Sequence, residues 1–126
     1  MLTVTQDLRT KLFKAVRDSW TRDTSYEPER WSDFNPAWGQ CAVTALVLQD
    51  YLGGELRRVA DGVGTTHFWV VSDGEDVDLT LEQFGSVPVW TEGPVTVDRG
   101  YVLAWPNTRK RYQELRDRVA TAVNTA

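Results

Sequence analysis

Gly39-Gln40-Cys41-Ala42-Val43-Thr44-Ala45-Leu46-Val47-Leu48-Gln49-Asp50-Tyr51 is the stretch that decides how this chain folds. Ala42, Val43, Ala45, Leu46, Val47 and Leu48 leave almost no polar side to a helical wheel. A surface helix carries one apolar stripe, whereas a helix that is apolar all round lies buried in the centre. The stretch therefore predicts a central helix over residues 40–51, ended by the left-handed exit that Gly53-Gly54 supplies. Its first turn holds Cys41, the only cysteine in the 126 residues.

Upstream, residues 21–38 carry Pro28, Asn35, Pro36 and several Ser, Thr and Asp residues. They read as a long ordered loop anchored by Tyr26, Trp31, Phe34 and Trp38. Loops of this length are uncommon inside compact domains and tend to be functional. Before the loop, Thr5 caps a helix to about residue 20, with Leu8, Leu12, Phe13, Val16 and Trp20 on one face.

Downstream, residues 55–60 and 66–72 read as strands, Asp73-Gly74 as a hairpin turn and residues 75–79 as the return strand. A short turn over residues 80–84 follows, then strand-like pieces at 87–90, 95–97 and 101–105. A last helix, capped by Asn107 or Thr108, runs to about residue 123 with Tyr112, Leu115 and Val119 facing inward. The plan is α+β: a buried central helix and flanking helices packed on an antiparallel sheet. Without repeat or linker, residues 1–126 are expected to form a single domain.

Composition narrows the function. A net charge of −4 argues against nucleic acid, whose phosphates need a basic face. The one basic cluster, Arg109-Lys110-Arg111 with Arg116 and Arg118, alternates with Glu114 and Asp117 and reads as a solvated helix face. No apolar run approaches the roughly 18 residues of a membrane span, so no membrane partner is expected. The first residues lack a signal-peptide pattern and a lone cysteine makes no intrachain disulfide, so the expected location is cytoplasmic. Six tryptophans spread along the chain read as anchors of one core, with a ligand platform as the alternative.

The only histidine, His67, opens the stronger strand. A thiol attacks as thiolate, and its free pKa of about 8.5 leaves little of that form at neutral pH. The first turn of a helix favours negative charge, which is where Cys41 lies. Gly39 lets the backbone approach a substrate, and Gln40, if its side chain turns inward, can donate to a developing oxyanion. If Asp73-Gly74 is a two-residue turn, Ser72 pairs with Glu75 and Trp69 with Asp78. His67 and Asp78 then become diagonal neighbours on one sheet face, about 7–8 Å apart along the backbone. An odd loop would send Asp78 to the other face. Asp76 shares the face but pairs nearer Val71.

Each residue has a plainer role available: a small buried hydrophobe for Cys41, a structural strand residue for His67, a turn cap for Asp78. Their order raises the sharper reading. Cys41 is the candidate nucleophile, His67 the base, Asp78 its orienting carboxylate and Gln40 an oxyanion donor. The expected chemistry is hydrolysis or acyl transfer of an amide or thioester from a small molecule or peptide. The alternative is a non-catalytic ligand- or protein-binding domain in which the three form a structural cluster. No cofactor is required, and one Cys with one His cannot build a structural zinc site.

Several stretches together resemble the YunG-like family of small uncharacterised bacterial proteins. They are Thr24-Ser25-Tyr26, Trp31, Asn35-Pro36, Gly39 through Leu46, Gln49-Asp50, Gly53-Gly54, His67-Phe68-Trp69, Asp78-Leu79-Thr80, Gln83-Phe84, Asn107-Thr108-Arg109 and Arg111-Tyr112. The resemblance covers about residues 19–115 and implies a coherent domain, without naming a reaction. Where it leads one to expect Asn after the His-aromatic-Trp step, this chain has Val70, which faces away from His67 on the hairpin parity. The order of Cys, His and Asp is more distantly similar to papain-like and transglutaminase-like enzymes, an analogy of architecture.

Overall fold

Helix α2 (Cys41–Leu52) is wrapped on every side, and residues 42–48 are all buried. The computed structural model describes residues 6–125 of the chain. Val43, Val47 and Leu48 meet Val70 and Val77 of the sheet, Leu79 just past it, and also Leu12, Val16, Leu115 and Val119 of two flanking helices. Ala42, Ala45 and Leu46 meet Leu56, Phe68 and Val102. A helix apolar all round is stable only with such neighbours on all sides. Each fully buried Val or Leu contributes about 1.5–3 kcal/mol over its exposed state.

The flanking helices are α1 (Gln6–Ser19) and α4 (Thr108–Thr125). The sheet is antiparallel and four-stranded: β1 (Glu55–Ala60), β2 (Thr66–Ser72), β3 (Glu75–Val77) and β4 (Glu92–Val97), in the order β3-β2-β1-β4. This is the expected α+β plan. Gly54, between α2 and β1, has φ +94, and a side chain there would overlap the Val71 carbonyl. The link from α2 into β1 can pass this close to β2 because position 54 carries no Cβ.

The β2–β3 hairpin pairs Ser72 with Glu75, Val71 with Asp76 and Val70 with Val77. Asp73 and Gly74 both have positive φ, 52° and 78°, as a two-residue type I′ turn requires. The loop is even, so the parity that places Asp78 on the His67 face holds.

Four expectations change. Residues 101–105, read as a strand from their apolar spacing, lie largely in a short helix α3 (Arg99–Leu103). The Asp98 carboxylate accepts from the Tyr101 N–H at 2.7 Å, and this cap overrides local β propensity. Residues 87–90 form no strand, and Val87 and Val89 are exposed. On α1, Leu8 points outward at 52% exposure, while the proposed cap Thr5 lies outside the described residues. Of the six tryptophans only Trp20 is buried, and the fully exposed Phe34 anchors nothing. The 21–38 loop is instead held by polar contacts and two short 3-10 turns. Ser25 Oγ donates to Trp38 O at 2.8 Å, and Asn35 Nδ2 to Gln83 O at 2.9 Å.

Candidate active site

Side chains alternate along β2, so Phe68 and Val70 face α2 while His67 and Trp69 face away. Cys41 and His67 can meet only at the strand's edge, and β3 makes that possible by stopping at Val77, opposite Val70. The edge of β2 from Phe68 back to Thr66 has β1 on one side and the first turn of α2 near the other. There the Cys41 thiol lies 4.0 Å from Thr66 O and receives the Phe68 backbone N–H.

His67 Nε2 lies 2.6 Å from Asp78 Oδ2. A carboxylate only accepts, so in the neutral ring the proton sits on Nε2 and Nδ1 is the acceptor. Asp78 is itself fixed, its Oδ1 accepting from the Thr80 N–H at 3.2 Å. Asp76 is occupied elsewhere, accepting from Trp69 Nε1 at 3.0 Å. The imidazole is 1% exposed, stacked between Trp69 at 5.8 Å and Trp90 at 6.0 Å with the Phe84 edge at 5.4 Å. Trp69 and Trp90, read from the sequence as core anchors, thus enclose the histidine.

The charges respond to this packing. Burial pulls the His67 pKa down, but the Asp78 hydrogen bond and the Cys41 contact outweigh it and raise the value to about 9. Burial pushes the Cys41 thiol up, and a hydrogen bond to His67, the imidazolium charge and the Phe68 N–H overcome it, so the net shift is downward. The pair is thereby disposed to hold its proton on nitrogen.

Gln40 turns inward, yet away from the thiol. Its Oε1 accepts from Thr24 Oγ1 at 2.8 Å and its Nε2 donates to Thr21 O at 3.0 Å, with the side chain fully buried. The structure does not bring this amide to the site as a donor; it pins the 21–24 turn to the start of α2. The first backbone bond of α2 runs from Thr44 N–H to Gln40 O, leaving the first-turn N–H groups of Cys41 and Ala42 ahead of the ladder. Gly39, at φ +73, packs so tightly on the loop that a Cβ would overlap Ser25 Oγ and come within 2.8 Å of Tyr26 N.

Two residues given no role in the sequence reading belong here. Gln83 Oε1 accepts from the Gly39 N–H at 3.1 Å, and its Nε2 lies 3.5 Å from His67 Nδ1, so it links the two halves of the site. Arg111, expected on a solvated face, is only 7% exposed. It lies four and eight residues before the buried Leu115 and Val119, a spacing that could have marked it as inward. Its guanidinium donates to Thr24 O at 3.0 Å and Thr108 Oγ1 at 3.2 Å, bracing the loop against α4.

Cys41 opens on a cleft of about 470 Å³ walled by Tyr26, Trp38, Phe68, Phe84, Trp105 and Arg111. His67 stays behind the thiol, outside the cleft wall. Among the described residues, no helix is long and apolar enough to cross a membrane, and no cluster of three His, Cys, Asp or Glu could hold a metal ion.

A family model described as YunG protein matches residues 8–124 of the chain. The "Uncharacterized protein YunG" of Bacillus subtilis (strain 168) is 30% identical over 112 residues, which cover 87% of this chain and 90% of that protein. No solved structure matches the chain.

Proposed function

The chain belongs to the YunG family, and from that premise and the geometry above we propose that it is a cysteine-dependent hydrolase or acyltransferase. The site would be arranged as in papain-like and transglutaminase-like enzymes. One observation carries the reading: a single imidazole bonded to Asp78 on one nitrogen and close to Cys41, with the His67 pKa raised to about 9 and the thiol's lowered.

Cys41 thiolate adds to an amide or thioester carbon, forming the C–S bond. The oxyanion draws on the N–H groups that open α2, with Gln40 holding that turn in place. Collapse breaks the carbon–heteroatom bond, and His67 hands its proton to the leaving group. His67 then takes a proton from water, or from an acceptor nucleophile, which cleaves the thioester and restores the thiolate. Asp78 keeps one tautomer and stabilises the imidazolium.

The burial of His67 favours a second reading, a binding domain in which the three residues form a structural cluster. Labelling by an electrophilic thiol probe at pH 7 separates the two. The catalytic reading expects rapid labelling of the wild type and slow labelling of His67→Ala and Asp78→Ala. Equal, slow labelling of all three proteins would leave only the binding domain.

A further inference from the structure

Buried charge is costly unless an opposite charge compensates it. Arg111 is more than nine-tenths buried, yet every group that accepts from it is neutral: Thr24 O at 3.0 Å, Gly39 O at 3.5 Å and Thr108 Oγ1 at 3.2 Å. Its Nε has no partner, and among the described residues no carboxylate pairs with it. Trp38, another residue of the cleft wall, has a buried Nε1 with no acceptor among the described residues. The other ionic groups of the wall, Glu27 and Arg30, lie 3.7 Å apart and offset each other.

The Tyr26 ring faces the guanidinium at 5.5 Å, and in the reacting site Cys41 adds a negative charge, since the guanidinium lies within electrostatic range of the thiolate. Asp78 spends its charge on His67. Once the sulfur carries an acyl group its negative charge is gone, and the guanidinium is left buried beside a neutral thioester. An acyl group bearing its own anion would restore the balance at that moment.

We propose that the cleft takes an anionic acyl donor, one with a carboxylate near the carbonyl attacked by Cys41, and that Arg111 is the counter-charge selecting it. The proposal rests on the thiol reading above and names its substrate class. The aromatic walls suit the apolar part of such a donor, and the guanidinium, on a residue of the same wall, suits its carboxylate.

Iodoacetate and iodoacetamide test this directly, because they share a leaving group and differ in charge. Rate constants for Cys41 are measured at pH 7 with both, and the ratio is divided by the same ratio for glutathione. The proposal expects the normalised ratio to exceed that of Arg111→Gln by about tenfold, the scale of one charge pair in a partly desolvated site. Arg111→Lys should keep most of the preference, and Arg116→Gln, on the exposed side of α4, all of it. His67 is present throughout, so the difference reports on Arg111 alone. Equal ratios in wild type and Arg111→Gln overturn the proposal. If Arg111→Gln does not fold, the wild type decides: succinate should protect Cys41 from iodoacetamide and succinamide should not, and equal protection overturns the proposal. Fast iodoacetamide labelling without anion preference removes the substrate class and leaves the thiol reading standing. Iodoacetamide labelling no faster than an ordinary thiol removes both.

Discussion

Arg111 and Tyr112 are adjacent on α4 but reach toward opposite ends of α2, and the two polar networks they join are built to opposite plans. At the far end Tyr112 donates to Asp50 at 2.6 Å, and Arg99 pairs with Asp50 at 3.2 Å while donating to Gln49 at 2.8 Å. Every charge there meets its opposite, and Asp50 and Arg99 remain about one-third exposed. Such a network ties α3 and α4 to α2 and asks for nothing further. At the near end the charges are deeper and the account does not close. His67 and Arg111 are buried, the thiol faces a cleft, and among the described residues the guanidinium has no carboxylate. A closed network fixes a fold; an open one beside a cleft is what a reacting site needs.

Breaking the near network should have the largest effect. An ordinary thiol is only about 3% ionised at pH 7, so removing the histidine that ionises Cys41 can slow alkylation up to about 30-fold. His67→Ala should approach that figure at pH 7 in an iodoacetamide assay.

Asp78→Asn is the next test, and its signature is pH dependence. His67 has a folded pKa of about 9, above its unfolded 6.5. Its interaction with Asp78 therefore stabilises the fold fully below pH 6.5 and fades as pH rises through about 9. Denaturation of Asp78→Asn should show its largest stability deficit near pH 6 and a shrinking one toward pH 9.5. A deficit that stays constant across this range contradicts the ion pair.

Breaking the far network should do least. Partly exposed ion pairs contribute about 0–1 kcal/mol, so Asp50→Asn should cost no more than that and leave Cys41 alkylation unchanged. A change in thiol reactivity from this substitution would erase the distinction between the two ends.

What could be read from the sequence divides along the same line. The hairpin was legible because Asp73-Gly74 specifies a turn of two residues, and that local fact carries Asp78 to the His67 face. The central helix and β2 were legible because their apolar residues run almost unbroken, and β1 because residues 55–60 alternate well enough for a strand. The helix at residues 99–103 was hidden by an apolar spacing that suits a strand, and only the Asp98 cap distinguishes it. Arg111 was hidden among Arg109, Lys110, Arg116 and Arg118, although its spacing to Leu115 marks the buried face. Gln40 depended on a partner 16 residues upstream, Thr24, and no local pattern reports where a long loop returns.

The pH dependence of Cys41 alkylation by iodoacetamide, wild type beside His67→Ala, tests the central claim most directly. An imidazole that ionises the thiol predicts fast alkylation persisting well below pH 8, while His67→Ala follows an ordinary thiol curve with a midpoint of about 8.5. Two superimposed curves, both rising only through that midpoint, would contradict it.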